Sequence, residues 1–187
     1  MNYKIGLTLK EPRIKAQRLT EAYKSFQRAL SADSRFLEAH LELAHMAADQ
    51  SALALMPAYA KSNKQIGSPA PLADAELRRF LRARYAQTIQ EGMSHANSAL
   101  EIDPKSEPAM HYMMGLLTVR ATLQDNQEDF AADWKQAQDW QQKEAVLRAA
   151  TQSTPLTGAD KTGGVIGGII SSVPTVAPPP PPPVVKR

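Results

Sequence analysis

The sequence predicts an all-α chain of stacked helical hairpins followed by a tail that builds no core, on three observations. Alanine, leucine, glutamine, lysine and glutamate dominate residues 1–152, where glycine is scarce and β-branched residues are few, so local propensity favours helix throughout and no sheet is expected. Ala29-Leu30-Ser31-Ala32-Asp33-Ser34 is echoed by Ala99-Leu100-Glu101-Ile102-Asp103-Pro104, 70 residues later, close to two periods of a helical repeat of about 34 residues. After Thr151 the composition shifts to glycine, proline and small apolar residues, from which no packed interior forms.

Taken in order, the periodic segments place helices near 2–11, 14–32, 36–48, 51–65, 73–101, 106–123 and 127–152, about six or seven in all. Their breaks come from Glu11-Pro12, Asp33-Ser34, the stretch Gly67-Ser68-Pro69-Ala70-Pro71, Asp103-Pro104 and Asp125-Asn126, each a residue type that ends a helix or favours a turn. Each echoed segment closes one helix, and a fresh apolar run follows it: Leu37, Leu41 and Leu43 in the first case, Met110, Met113 and Leu117 in the second. Asn126 followed by Asp129 marks the start of the last helix, where acidic side chains meet the positive end of the helix dipole. The chain therefore divides into a helical domain, 1–152, and a tail, 153–187. In the tail, the glycine-rich part around 163–168 is expected to be flexible, and the six prolines 178–183 to hold polyproline II over roughly 20 Å.

With these residues in view, the helical part resembles the tetratricopeptide repeat (TPR) family. Ala22, Phe26 and Ala29 match the small, aromatic and alanine positions of the family's second helix, and Asp103-Pro104 matches its acidic-proline stop. Gly92 and Ala96 stand at the small and aromatic positions of the second copy. His40 and Leu43-Ala44 stand at the large, leucine and small positions of a first helix. In the next first helix Met110 and Met113 are followed by Gly115 one residue late, and Ile5-Gly6 resembles the leucine-small pair of an earlier one. The resemblance implies an α-solenoid of irregular repeats in which small residues let paired helices approach closely. It implies a non-catalytic protein-protein interaction module, a scaffold or adaptor with a tethering tail. The segment Gly163-Gly164-Val165-Ile166-Gly167-Gly168-Ile169-Ile170, running into the prolines and Lys186-Arg187, resembles the linker of TonB-type energy transducers. That likeness implies the alternative, an N-terminal fragment of a cell-envelope transducer or transport-linked protein, located in the periplasm or envelope if part of a longer exported chain and in the cytoplasm otherwise.

Several chemistries are disfavoured by spacing. His40 and His45 are five residues apart and diverge by about 140° around a helix. Neither HExxH nor a Cys/His cluster occurs, so no metal is expected. Asp125, Glu128, Asp129 and Asp133 lack the alternating oxygen ligands and central glycine of a calcium loop. No serine stands in Gly-x-Ser-x-Gly, cysteine is absent, and Gly158-Ala159-Asp160-Lys161-Thr162-Gly163 puts Gly164 where a phosphate loop needs lysine. The chain is read as no enzyme, without cofactor.

Charge is uneven: residues 1–35 carry +5, residues 36–152 carry −4 and residues 153–187 carry +2. The basic start lacks interleaved aromatics, so nucleic acid is not the expected partner, and no segment reaches the roughly 18–20 apolar residues that cross a bilayer. The expected partner is a protein or peptide, with envelope proteins among the candidates. Lys10, Arg13, Arg78, Arg79 and Arg82 are the candidate contacts for an acidic peptide. Met46, Met56, Met93, Met110, Met113 and Met114, with Tyr112, are read mainly as core and secondarily as groove. Trp134 and Trp140 lie about 120° apart on their helix, so at most one faces the core fully.

Overall fold

A computed structural model describes residues 12–62 and 70–152. Among the described residues there are five helices and no strand: α1 (Pro12–Ala32), α2 (Leu37–Ser62), α3 (Ala75–Ile102), α4 (Glu107–Thr122) and α5 (Gln127–Gln152). The described residues are all-helical as expected, in five helices where the sequence reading placed six or seven over residues 1–152. The helix expected at 2–11 and the tail at 153–187 lie outside the described residues. The described parts of the segments expected at 36–48 and 51–65 run into one helix, α2 (Leu37–Ser62). Asp49-Gln50 between them contains neither glycine nor proline, and Ser51 at the join is buried. Its hydroxyl donates to the carbonyl of Ala47 at 2.6 Å and lies 3.2 Å from that of Ala48, so a side chain that often competes with helix is satisfied inside one. Pro57 also lies within α2. It removes one ladder hydrogen bond, and the buried side chains Leu55, Ala58 and Tyr59 around it hold the helix against the core.

The 70-residue echo is a repeated turn. Asp33 N–H donates to Ala29 O at 2.8 Å, Phe36 N–H donates to Asp33 O at 3.1 Å, and Arg35 N–H donates to the Asp33 carboxylate at 2.9 Å. Seventy residues on, Asp103 N–H donates to Ala99 O at 2.8 Å, Ser106 N–H to Asp103 O at 3.1 Å, and Lys105 N–H to the Asp103 carboxylate at 3.0 Å. The aspartate closes the preceding helix with its backbone and shapes the turn with its side chain. Four-residue links of this length at 33–36, 103–106 and 123–126 make successive helices antiparallel neighbours. Caps fix the starts that follow: Asp74 accepts from the N–H groups of Glu76 and Leu77, Ser106 from that of Ala109, and Asn126 from that of Asp129 at 2.8 Å.

In packing, α2 lies against α1, α3 and α4, and α4 lies against α3 and α5. The core runs through Leu55, Leu81, Ile89, Leu116, Val119 and Leu123, and continues past Ala44, Ala96, Met113 and Leu117 to Ala99, Ala109 and Met110. Each fully buried leucine contributes about 1.5–3 kcal/mol. α2 and α3 approach closely at Gly92, where an added Cβ would meet the Ala47 Cβ at 2.5 Å. The small partner of Gly92 is therefore Ala47, while Ala44 belongs with Ala96 to the adjoining core cluster.

Gly115 differs from its sequence reading: a Cβ there would meet nothing within 4 Å, so no close helix contact requires glycine. Since glycine in a helix interior costs about 0.5–1 kcal/mol relative to alanine, Gly115→Ala is expected to raise stability by that amount in chemical denaturation. An unchanged midpoint would contradict the open space. The C-terminal ends of α2 and α4 are joined by Tyr59 and Thr122, whose hydroxyls lie 3.0 Å apart, and Leu72 N–H returns the α2–α3 link onto Thr122 O at 2.9 Å. No helix among the described residues is long and apolar enough to cross a membrane.

Candidate partner-binding grooves

Of the five residues read as partner contacts, Lys10 lies outside the described residues and Arg13 falls in the first turn of α1. Arg78, Arg79 and Arg82 occupy the first two turns of α3. Arg78 donates to the Leu72 carbonyl and, at 3.5 Å, to Asp125; Arg82 donates to the other oxygen of Asp125. The hydrogen bond from Arg82 holds the Asp125 carboxyl below its usual range, with the charges of both arginines adding to it. These two arginines thus tie the start of α3 to the α4–α5 turn. Arg79 reaches back to the Ala75 carbonyl at 3.3 Å and is exposed.

Three of the four acidic residues near the α5 start divide their work likewise. Asp125 takes the two arginines. Asp129 and Asn126 cap each other, with the Asn126 amide 2.8 Å from the Asp129 carboxylate. Asp133 is buried, and accepts from Arg120 at 3.0 and 2.6 Å and from Gln124 at 2.6 Å. Each serves the fold. Of the methionines, Met110 and Met113 are buried, Met93 and Met114 pack partly against the core, and Met56 is exposed. Trp140 packs on two core clusters with Lys143 4.0 Å above its ring, while Trp134 stacks on Phe130 with centroids 5.6 Å apart.

Among the described residues, depressions form between the helices in two places. One, with a volume of about 490 Å³, lies between α1, α2 and α3. Leu19 and Tyr23 come from α1, Leu43, Met46, Ala47 and Leu53 from α2, and Thr88, Glu91, Gly92 and His95 from α3. Its polar edge includes Glu91, which accepts from the Gln87 amide at 2.8 Å. Burial, then the Glu91 charge, push the Tyr23 hydroxyl above its usual range. The other, about 760 Å³ and shallower, lies where the N-termini of α2 and α4 meet α5, and includes Leu37, Leu41, His111, Tyr112, Glu144 and Arg148. There Arg148 bridges Glu144 at 2.6 Å and Glu107 at 3.3 Å, and His111 stands 3.7 Å from Glu144.

At the end of the first groove two histidines meet across α2 and α3. His40, buried, places Nε2 3.0 Å from the Ser34 carbonyl and Nδ1 3.1 Å from His95 Nδ1. A carbonyl only accepts, so His40 Nε2 carries a proton. In the neutral pair the shared hydrogen bond therefore runs from His95 Nδ1–H to His40 Nδ1. Double protonation would set two N–H groups against each other. Burial, then the neighbouring His40, lower the His95 pKa from its ordinary 6.5, with Glu91 opposing. The unfolded chain thus takes up this proton first, and folding loses stability as the pH falls below about 6.5, until the folded His95 also titrates. The melting temperature of the wild type is expected to drop between pH of about 7.5 and 5.5 by more than that of His95→Gln. Equal drops would clear the pair of the effect. No three metal-ligating side chains converge among the described residues.

The pairing of His40 with His95 and the groove beside it were not legible in the sequence. Their residues lie on three helices, and no local spacing joins them. Compared with known proteins, the chain matches no family model, no curated protein and no solved structure.

Proposed function

We propose that residues 1–152 are a non-catalytic protein-interaction module of the TPR kind, with residues 153–187 as its tether. The observation that carries the interaction reading is the open groove of about 490 Å³ between α1, α2 and α3, a concave and mainly apolar surface on a helical array, the setting in which helical partner segments dock. The repeat reading is supported by the twice-used aspartate turn, by the Gly92–Ala47 approach and by the packing of α2 on both α3 and α4. Arg78, Arg82, Arg120 and Arg148 are engaged in ion pairs within the fold.

The test is affinity capture with the full chain as bait, beside Thr88→Trp, whose indole would fill the groove from a half-buried position on α3. A partner retained by the wild type is expected to fall away from the variant while the two proteins melt alike. Identical retention would remove the groove from the reading, and failure of the wild type to retain any partner from soluble or envelope fractions would remove the reading itself.

A further inference from the structure

A chain of hydrogen bonds at the end of the α1–α2–α3 groove fixes the state of the ring that faces it. The Ser34 carbonyl accepts from His40 Nε2–H at 3.0 Å, and the bare His40 Nδ1 accepts from His95 Nδ1–H at 3.1 Å. A neutral His95 therefore keeps its free lone pair on Nε2, across the ring from the atom aimed at His40. Among the described residues no other hydrogen bond or ion pair engages this ring, and the buried polar side-chain atom left without a partner is Glu42 Oε2, so the His95 lone pair reaches solvent. His95 is half-buried and lines the groove with Leu19, Leu43 and Met46. The charged and titratable groups about it are His40 on α2 and Glu91 one turn earlier on α3, with Tyr23 of α1 and Asp49 of α2 in the same lining, while α4 meets this part of α3 through Met113 and Ala96. Burial, then His40, lower the His95 pKa, so the ring is neutral at a pH of about 7.

We infer that this end of the groove receives the indole of a tryptophan from a partner protein, with its rings against the leucine and methionine side chains and its N–H donated to His95 Nε2. The inference rests on the interaction reading above and names the side chain that fits there. Complementarity of partial charge carries it: an indole has one donor and no acceptor, so it pairs the lone pair and leaves nothing polar unpaired against an apolar wall. A hydroxyl or an amide would bring an acceptor as well. An acidic side chain, the partner chemistry expected from the sequence, would bring only acceptors to an acceptor. Both tryptophans of this chain are engaged elsewhere, Trp140 on two core clusters and Trp134 on Phe130, so the indole comes from another protein.

The test uses the full chain and two small probes, indole and N-methylindole, which differ at the N–H. Each is titrated while NMR follows the backbone amides of Leu19, Leu43, Met46 and His95. At a pH of about 7.5 indole is expected to bind about fivefold more tightly than N-methylindole. In His95→Phe, which keeps a ring and removes the lone pair, the two are expected to bind alike, with N-methylindole held as in the wild type because the groove is intact. In the wild type the preference is expected to vanish on acidification, at the pH where the ring-nitrogen spectrum shows His95 protonated, because Nε2 then donates. This series decides the matter alone if His95→Phe does not fold. Equal binding of the two probes to the wild type would overturn the inference, as would a preference that survives either acidification or His95→Phe, since the bulk of the methyl group would then explain it. A proton on Nε2 of the neutral His95 ring would overturn it as well. If neither probe shifts the groove amides, this inference falls, and affinity capture decides the interaction reading separately.

Discussion

Arg120→Leu is expected to destabilise the fold by about 3 kcal/mol. Arg120, near the end of α4, closes a two-pronged pair on Asp133 of α5, with N–O distances of 3.0 and 2.6 Å. The Asp133 side chain is only 7% exposed, against 30% for Arg120. Leucine would fill much of the arginine's apolar volume but leave a buried carboxylate whose remaining side-chain donor is the Gln124 amide at 2.6 Å. The cost is that of an uncompensated charge, not of the lost contact alone. Removing both members, as in Arg120→Leu with Asp133→Leu, is expected to recover most of the loss, because no charge is then stranded. Urea denaturation of the three variants provides the measurement. A single variant within about 0.5 kcal/mol of wild type would place this pair among ordinary surface ion pairs.

Gly92→Ala is expected to cost about 2 kcal/mol, although alanine is the better helix former by about 1 kcal/mol. The added methyl would lie 2.5 Å from the Ala47 Cβ and 3.0 Å from Leu116 Cδ1. Leu116 can rotate at its far end, but the Ala47 Cβ moves only with its backbone, so α2 and α3 must separate. Pairing the change with Ala47→Gly removes the obstructing atom and is expected to restore part of the stability, a non-additive result that two independent sites would not give. The opposite sign at Gly115 makes the comparison internal to one protein: the same substitution stabilises where the space is open and destabilises where a neighbouring helix occupies it. If Gly92→Ala proved as stable as wild type, the close approach of the two helices would be refuted.

What could be read in advance follows the range of the signal. Asp33 and Asp103 were recognisable because a turn is made within four residues, by a side chain acting on its own backbone neighbours. The start of α5 was recognisable for the same reason, Asn126 and Asp129 being three apart. Gly92 was recognisable as a small residue at a repeat position, though not which residue it would meet. The division of α2 into two helices had no helix breaker behind it, and the burial of Ser51 goes with a helix that continues through the join.

By itself, the sequence determined that the described residues would be helical and where most of those helices begin and end, since propensity, breakers and caps act locally. Tertiary structure alone decided the pairings of His40 with His95, Tyr59 with Thr122 and Arg82 with Asp125, which join residues 55, 63 and 43 positions apart. It also decided that the carboxylates of Asp49 and Glu91 share one apolar groove. Such contacts depend on how helices stack, and stacking is set by the summed fit of many side chains, which no local run of residues encodes.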